Sequence, residues 1–375
     1  MSKIVQRASY DPRPLDDLRT DLSKKLKSDS FYIPDLRSAY KDWPEDVNPH
    51  YPDLKEALTK RIEDLYPPRR AAALIKGDYA LLASMWWPRA STERLTSCTF
   101  FLLWLFTWND DIDQSTSELF IDIDKANACR QECYHFLRYA LGVGNEETAK
   151  YNFDQTPPQR PIIRSVEVIG SELSKVYNED QIMCFIEEIY YYMESQQREQ
   201  RRKLTNTIPT PEQYWETRLG TSAATSTFAL NEFADSQSLP RWIMEHPRMT
   251  DIWREVNLNM SLSNDMLSLK KEIKHGDIDS IVPVLVFNRN MTVQEAISDT
   301  CAQLQKNIDR FDRWSDELCA VVKAYQPEVL EDVKSFVTGC KHNQMANLMW
   351  SLKTSRYGLA DIPRDEHGGM TIVVD

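Results

Sequence analysis

The 375-residue chain carries 57 acidic and 45 basic side chains, which gives it a net charge of −12. This negative balance disfavours a nucleic-acid partner, because phosphate backbones bind to basic surfaces. Hydrophobic residues make up 42% of the chain, only 10 residues are glycine, and apolar residues recur at intervals of three and four. We therefore expect a sizeable core in an all-helical protein.

The predicted elements begin with an N-terminal extended arm, residues 1–53, in which prolines interrupt short helical pieces. Residues 54–358 are predicted as one helical domain, and residues 359–375 as a mobile C-terminal tail. The predicted helices are 54–66, 69–86, 91–112, 122–141, 162–177, 180–204, 211–233, 248–274, 281–289, 293–325, 327–338 and 340–355.

Cysteine usage and hydropathy predict a cytoplasmic protein. The seven cysteines include no CxxC pair, which disfavours both a zinc site and a disulfide framework and fits a reducing compartment. Met1 is not followed by an apolar signal segment. The longest apolar run, 98–108, is too short to cross a bilayer, so we expect no membrane span.

The first informative motif is SLSNDMLSLKKE at 261–272, which places Asn264, Ser268 and Glu272 four residues apart. On a helix this spacing aligns the three side chains along one stripe. Oxygen ligands in an otherwise apolar segment suggest a hard cation, Mg²⁺ above all. The alternative is the polar edge of a packed helix.

The second motif is FLLWLFTWNDDIDQ at 101–114, where an apolar helix runs into one amide and three carboxylates. These residues are Asn109, Asp110, Asp111 and Asp113. The carboxylates repel one another and oppose the helix dipole unless they are solvated or neutralised by a cation. Facing the first motif, this cluster would hold several Mg²⁺ ions and thereby bind a polyanion, most naturally a diphosphate.

Four donor side chains lie beside the two motifs or at helix ends. Arg218 follows an aromatic helix start, Lys271 lies inside the first motif, and Arg356 and Tyr357 close the last predicted helix. An arginine offers a forked pair of donors to phosphate, and a tyrosine offers one donor. These residues are our candidates for binding the diphosphate.

Together these features resemble the class I terpene synthases. NDMLSLKKE (264–272) resembles their NSE motif, WNDDID (108–113) their aspartate-rich motif, and SRYG (355–358) their C-terminal Arg-Tyr pair. Arg218 precedes Asn264 by 46 residues, the usual place of the family's diphosphate-sensing arginine. The resemblance covers roughly residues 80–358 and is nearest to the fungal sesquiterpene cyclases.

The resemblance implies a single-domain class I terpenoid synthase helical bundle over 54–358, with its pocket inside the bundle. It implies a prenyl diphosphate substrate, most readily farnesyl diphosphate, and three Mg²⁺ ions. The implied metal ligands are Asn109, Asp110, Asp113, Asn264, Ser268 and Glu272. The implied catalytic residues are Arg218, Lys271, Arg356, Tyr357, Phe106 and Trp350, with the last two aromatic rings facing the carbocation. Thr221 and Ser222 would lie at a helix break that transmits substrate sensing.

The acidic motif departs from the family pattern, in which two aspartates lead. In a first register Asn109 takes the leading position, and in a second register Asp110 leads and the motif ends at Gln114. We favour the first, because Trp108 and Ile112 then keep their usual places. An amide is a weaker Mg²⁺ ligand than a carboxylate.

Other functions stay open at this point. The chain could act on a C10 or C20 diphosphate, elongate prenyl chains, or be a helical binding relative without activity. Chain-elongating enzymes carry two aspartate-rich motifs, so the NSE-like second motif favours cyclisation. A homodimer is also open.

Overall fold

The computed structural model describes residues 15–27, 30–113 and 117–374, and in these ranges the chain is almost entirely helical. The first ten helices are α1 (Leu15–Lys27), α2 (Tyr51–Leu65), α3 (Pro68–Lys76), α4 (Tyr79–Trp86), α5 (Thr92–Asp113), α6 (Glu118–Ile121), α7 (Ile123–Ala140), α8 (Glu146–Ala149), α9 (Pro161–Arg164) and α10 (Glu167–Leu173). The next nine are α11 (Glu179–Leu204), α12 (Pro211–Thr221), α13 (Ala224–Phe228), α14 (Asn231–Ala234), α15 (Arg241–Met244), α16 (Pro247–His275), α17 (Ile281–Arg289), α18 (Val293–Tyr325) and α19 (Leu330–Lys353). Short 3₁₀ turns cover Leu36–Tyr40 and Pro327–Val329, and two strands are β1 (Ser30–Ile33) and β2 (Met370–Val373).

The prediction of an all-α fold is confirmed, but several predicted helices are divided. The segment 69–86 breaks between α3 and α4 at Asp78, whose φ of 48° is left-handed and whose side chain accepts a hydrogen bond from the backbone N–H of Leu81. The segment 211–233 breaks at Ala223, with φ of 56°, between α12 and α13.

Two further boundaries differ. The segment 162–177 divides into α9 and α10. By contrast, the two helices predicted on either side of Gly339 are one continuous helix, α19. A mid-helix glycine costs only about 1 kcal/mol. A Cβ at position 339 would lie in ordinary contact with the side chains of Asn231 and Arg89, so the packed neighbours cover this point of the helix.

Helix α16 runs through the core and carries the NSE-like motif in its C-terminal half. Its residues are buried on most faces, for example Leu262, Met266 and Leu269. A helix that is buried on most sides lies in the interior of the bundle. The stripe of Asn264, Ser268 and Glu272 therefore lies on an interior helix rather than on the solvated edge of a surface helix.

The arm and the tail pack together. Strand β1 pairs antiparallel with β2, with Ser30 opposite Val373 and Ile33 opposite Met370. Phe31 and Ile372 are buried. The tail is therefore ordered in the structure, and our expectation of a mobile tail was wrong, because alternate residues of the short strand bury apolar side chains. The domain boundaries at 53 and 358 stay a prediction.

The arm also contacts the segment that follows α16. Arg19 of α1 forms an ion pair with Asp279 at 2.8 Å, and the Asp279 side chain is almost fully buried. Residues 1–14 of the predicted arm lie outside the described residues. In the part of the chain that the structure describes, no helix is both long and apolar enough to cross a membrane.

Candidate active site

The Arg356–Tyr357 pair joins the two predicted metal-binding motifs. The Nη2 atom of Arg356 lies 3.2 Å from Oδ1 of Asp110 on α5, and Nη1 donates to the hydroxyl of Tyr79 at 3.0 Å. The adjacent Tyr357 hydroxyl accepts a hydrogen bond from Nδ2 of Asn264 on α16, also at 3.0 Å. Two motifs separated by about 150 residues of chain thus lie on either side of one dipeptide.

The NSE-like stripe leaves one buried carboxylate oxygen without a partner. Ser268 Oγ donates to Oε1 of Glu272 at 2.6 Å, whereas Oε2 is buried and has no hydrogen-bond partner. Burial, together with the nearby carboxylates of Asp277 and Asp265, raises the pKa of Glu272 to about 7. A buried acceptor that lacks a donor is the environment a cation would complete, so these residues fit a divalent metal.

Arg218 lies against the same stripe. Its Nη2 donates to Oδ1 of Asn264 at 3.0 Å and lies 2.9 Å from Oδ1 of Asp265. Burial opposes the charge of Arg218, but the carboxylate of Asp265 outweighs it and holds the arginine pKa above its ordinary value. Arg218 is therefore a permanently charged group beside the predicted metal ligands.

Lys271 lies beside the ring of Tyr357. Its Nζ lies 5.9 Å from the centre of the Tyr357 ring. Burial lowers the pKa of Lys271, and the positive charge of Arg356 lowers it further. Arg218 and Tyr357 therefore contact Asn264, and Lys271 and Arg356 lie beside Tyr357, while the role of all four residues stays a prediction.

Three side chains from other parts of the fold contact the acidic motif. Asp110 pairs with Arg356, and Asp111 pairs with Arg70 at 2.8 Å. Asn109 turns to α11, where its Oδ1 accepts from Nε2 of Gln196 at 3.4 Å. The side chain of Asp113 lies outside the described residues. Which of the two registers binds metal stays a prediction.

No group of three or more His, Cys, Asp or Glu side chains gathers in metal-binding geometry within residues 15–27, 30–113 and 117–374. The NSE-like stripe contributes one carboxylate together with an amide and a hydroxyl, so it falls outside such a group. A hard cation accepts all three kinds of oxygen.

Aromatic rings pack beneath Arg356. Phe106 lies 4.7 Å from Tyr79 and 5.5 Å from Trp350, measured between ring centres. The guanidinium carbon of Arg356 lies 5.1 Å from the centre of the Phe106 ring. The predicted aromatic residues therefore do come together, in contact with one another. Open grooves beside α2 and beside Tyr177 lie elsewhere on the surface.

The sequence analysis missed Tyr79, Asp265 and Tyr214. Asp265 is a buried carboxylate that directly follows Asn264, so its place in the motif was a signal that the sequence offered. Tyr79 reaches the site only through folding. Helix α12 does end at Thr221, and the Ser222 hydroxyl donates to Oδ1 of Asn257 at 2.8 Å, so the expected helix break is confirmed.

Replacing Glu272 by Gln should have opposite effects with and without metal. In chelator at pH 8 the variant should melt at a higher temperature than the unmodified protein, because a buried carboxylate beside Asp277 and Asp265 becomes neutral. With Mg²⁺ it should gain less stability, because a charged ligand is lost. Thermal unfolding in both buffers is the measurement. A variant that melts lower in chelator would contradict this account. The control is Glu255→Gln on the same helix, which should lower the melting temperature in both buffers.

Comparison with known proteins gives the family. Residues 101–310 match the family described as "Terpene synthase family 2, C-terminal metal binding". The chain is 56% identical over 372 residues to sesquiterpene cyclase hepA of Aspergillus oryzae, which covers 99% of each protein. This chain is a terpene synthase. It is also 23% identical to terpene cyclase braA of Annulohypoxylon truncatum, over 92% of this chain and 90% of that protein.

The fold agrees with solved structures of the family. The structure of germacradien-4-ol synthase from Streptomyces citricolor superposes with a TM-score of 0.69 at 19% identity, over 84% of this chain and 97% of that one. The terpene synthase described here is accordingly an enzyme that acts on a prenyl diphosphate with the help of a divalent metal.

Proposed function

We propose that this terpene synthase is a sesquiterpene cyclase that ionises farnesyl diphosphate and closes the resulting carbocation into a sesquiterpene hydrocarbon or alcohol. The reaction releases diphosphate, which makes the enzyme a carbon–oxygen lyase. The observation that carries the proposal is the meeting of Asp110 and Asn264 at the Arg356–Tyr357 pair. The high identity to a sesquiterpene cyclase supports the C15 substrate.

The polar end of the site would bind the diphosphate. Arg218, Lys271, Arg356 and Tyr357 offer charged or neutral donors from α12, α16 and the segment after α19. These donors stabilise negative charge as it moves onto the leaving diphosphate when the C–O bond breaks. Bound Mg²⁺, three ions by our proposal, would add Lewis-acid neutralisation of that charge. The ions would be held by Asn109, Asp110, Asp113, Asn264, Ser268 and Glu272.

The aromatic rings beneath Arg356 would receive the hydrocarbon chain. Phe106, Tyr79 and Trp350 form one contiguous aromatic group. The face of each ring stabilises a passing carbocation by about 0.5–2 kcal/mol. A contiguous apolar lining also excludes water, which would otherwise quench the cation.

The cyclase proposal predicts metal-dependent cyclic C15 products. The purified protein is incubated with C10, C15 and C20 prenyl diphosphates, each with Mg²⁺ and with chelator, and products are identified by gas chromatography and mass spectrometry. We expect cyclic C15 products that require metal. Chain-elongated products or metal-independent turnover would overturn the proposal. Arg218→Ala is the matched negative control, and it should lower product formation by about a hundredfold.

Homodimer formation, a cytoplasmic location and the exact product stay predictions or open questions. A preference for C10 or C20 diphosphate in the same experiment would keep the cyclase class and replace the substrate.

A further inference from the structure

Asp265 is a buried carboxylate beside the proposed diphosphate site, and both of its oxygens have protein donors. It is 2% exposed and directly follows Asn264. Its Oδ1 accepts from Nε of Arg218 at 3.1 Å and lies 2.9 Å from Nη2 of the same arginine. Its Oδ2 accepts from the backbone N–H of Ile281 at 3.0 Å and from the Tyr214 hydroxyl. Both oxygens therefore have two donors each.

These contacts join three helices at one buried charge. Arg218 and Tyr214 belong to α12, and Ile281 is the first residue of α17. An arginine whose charge is buried keeps its place only when a carboxylate compensates it. Without Asp265 the Arg218 side chain would have no fixed anionic partner on this side and would move toward water.

The geometry also shows which N–H donors of Arg218 remain for a ligand. Asp265 binds Nε and Nη2 along one edge, and Nη2 also reaches Oδ1 of Asn264 at 3.0 Å. Among the residues that the structure describes, none accepts a hydrogen bond from Nη1 of Arg218. A guanidinium has five N–H donors in a rigid plane, so holding one edge fixes the direction of the other.

We propose that Asp265 is the positioning residue for diphosphate recognition: it clamps one edge of Arg218 so that the Nη1 donors point at the substrate's diphosphate. This inference rests on the proposed function, which supplies the diphosphate. It goes further by assigning the buried residue that pre-organises the arginine. Pre-organisation of a donor strengthens binding because no side-chain ordering remains to be done on association.

The alternative is that Asp265 only pairs with Arg218 in the absence of substrate and competes with the diphosphate for this arginine. The two views predict opposite signs. If Asp265 competes with the ligand, neutralising it should tighten diphosphate binding. If Asp265 positions Arg218, neutralising it should weaken diphosphate binding, and the effect should vanish when Arg218 is absent.

The test measures the affinity of inorganic diphosphate, with Mg²⁺ present, by titration calorimetry on the full chain. Asp265→Asn should weaken binding by about tenfold or more, and Asp265→Asn combined with Arg218→Ala should bind no more weakly than Arg218→Ala alone. With farnesyl diphosphate, KM should rise for Asp265→Asn. Additive losses in the double variant, or tighter binding in the single variant, would overturn the proposal.

The matched control is Glu255→Gln, ten residues earlier on the same helix. Glu255 forms a bidentate pair with Arg310 at 2.8 and 3.0 Å, and neither residue belongs to the two motifs. This variant should lose thermal stability and keep its diphosphate affinity. Equal losses of affinity in the control and in Asp265→Asn would reduce Asp265 to a general structural residue and refute the inference.

Two further provisions keep the test decisive. If Asp265→Asn does not fold, Asp265→Glu keeps the charge but displaces the carboxylate by one methylene, and it should also weaken diphosphate binding; unchanged affinity would refute the clamp. Diphosphate affinity does not depend on turnover. A protein that binds diphosphate but converts no prenyl diphosphate would therefore refute the proposed function while the role of Asp265 is still decided.

Discussion

Arg356→Lys should lower the turnover of farnesyl diphosphate by one to two orders of magnitude, equivalent to about 1.4–2.7 kcal/mol of transition-state stabilisation. Arg356 contacts Asp110 and Tyr79 with two different nitrogens and covers the Phe106 ring. Lysine keeps the positive charge but has a single nitrogen, so it cannot hold both contacts and also meet the diphosphate.

The loss should come from geometry rather than from a change of charge. Burial opposes the charge of Arg356, but Tyr79 and Asp110 outweigh it and hold its pKa above the ordinary value. The arginine therefore remains charged across the working pH range. At pH values where the introduced lysine is also charged, the loss comes from geometry alone, and the pH profile of the variant should be lower throughout.

Steady-state kinetics and thermal unfolding together check this prediction. The matched control is Arg310→Lys, which breaks a bidentate pair with Glu255 away from the site and should leave turnover close to normal. Normal turnover in Arg356→Lys would contradict the assignment, and so would a loss of activity that only follows a loss of folded protein.

The second large effect concerns which residue leads the acidic motif. If Asn109 leads, Asn109→Asp should lower the Mg²⁺ concentration for half-maximal activity by about tenfold, since a carboxylate replaces an amide ligand. Without metal, the added charge should slightly destabilise the protein, because Asp110 and Asp111 lie nearby. If Asp110 leads, the Mg²⁺ requirement of Asn109→Asp should not move.

Asp110→Asn separates the registers further. Where Asp110 leads, the variant should be nearly inactive. Where Asn109 leads, it should keep a measurable rate, reduced because Asp110 also holds Arg356 at 3.2 Å. A Mg²⁺ titration of both variants, read as product from farnesyl diphosphate, decides the matter. Gln197→Ala is the control: this neighbour of Gln196 bonds Asn127 instead of the acidic motif.

The helical character of the chain was predictable because apolar residues recur with the helical period over long segments. The break after α12 was expected at Thr221 and Ser222 only from the family resemblance, and the break at Asp78 was not expected. Asp78 and Ala223 both adopt left-handed conformations, which aspartate tolerates better than alanine, but neither residue type is by itself a sign of a break. The predicted boundary at Gly339 was also wrong, because α19 continues through this glycine where neighbouring side chains cover it.

Most of the candidate site was predictable because its motifs are local. Asn264, Ser268 and Glu272 lie on one helix at four-residue spacing, and Arg356 and Tyr357 are adjacent, so the family resemblance could be recognised from short stretches of sequence. Tyr79 and Arg70 belong to short helices far from either motif in the chain, and only tertiary packing brings them to Arg356 and Asp111. The direction in which Asn109 turns depends likewise on Gln196.

The pairing of β1 with β2 also sets an order for biosynthesis. The two strands are separated by about 340 positions, so β1 must remain unpaired until nearly all of the helical domain has left the ribosome. The Arg356–Tyr357 dipeptide is likewise made long after the acidic motif that it contacts. Assembly of the proposed catalytic centre is therefore a late event, and a nascent chain interrupted before residue 356 holds both predicted metal-binding motifs but lacks the dipeptide between them.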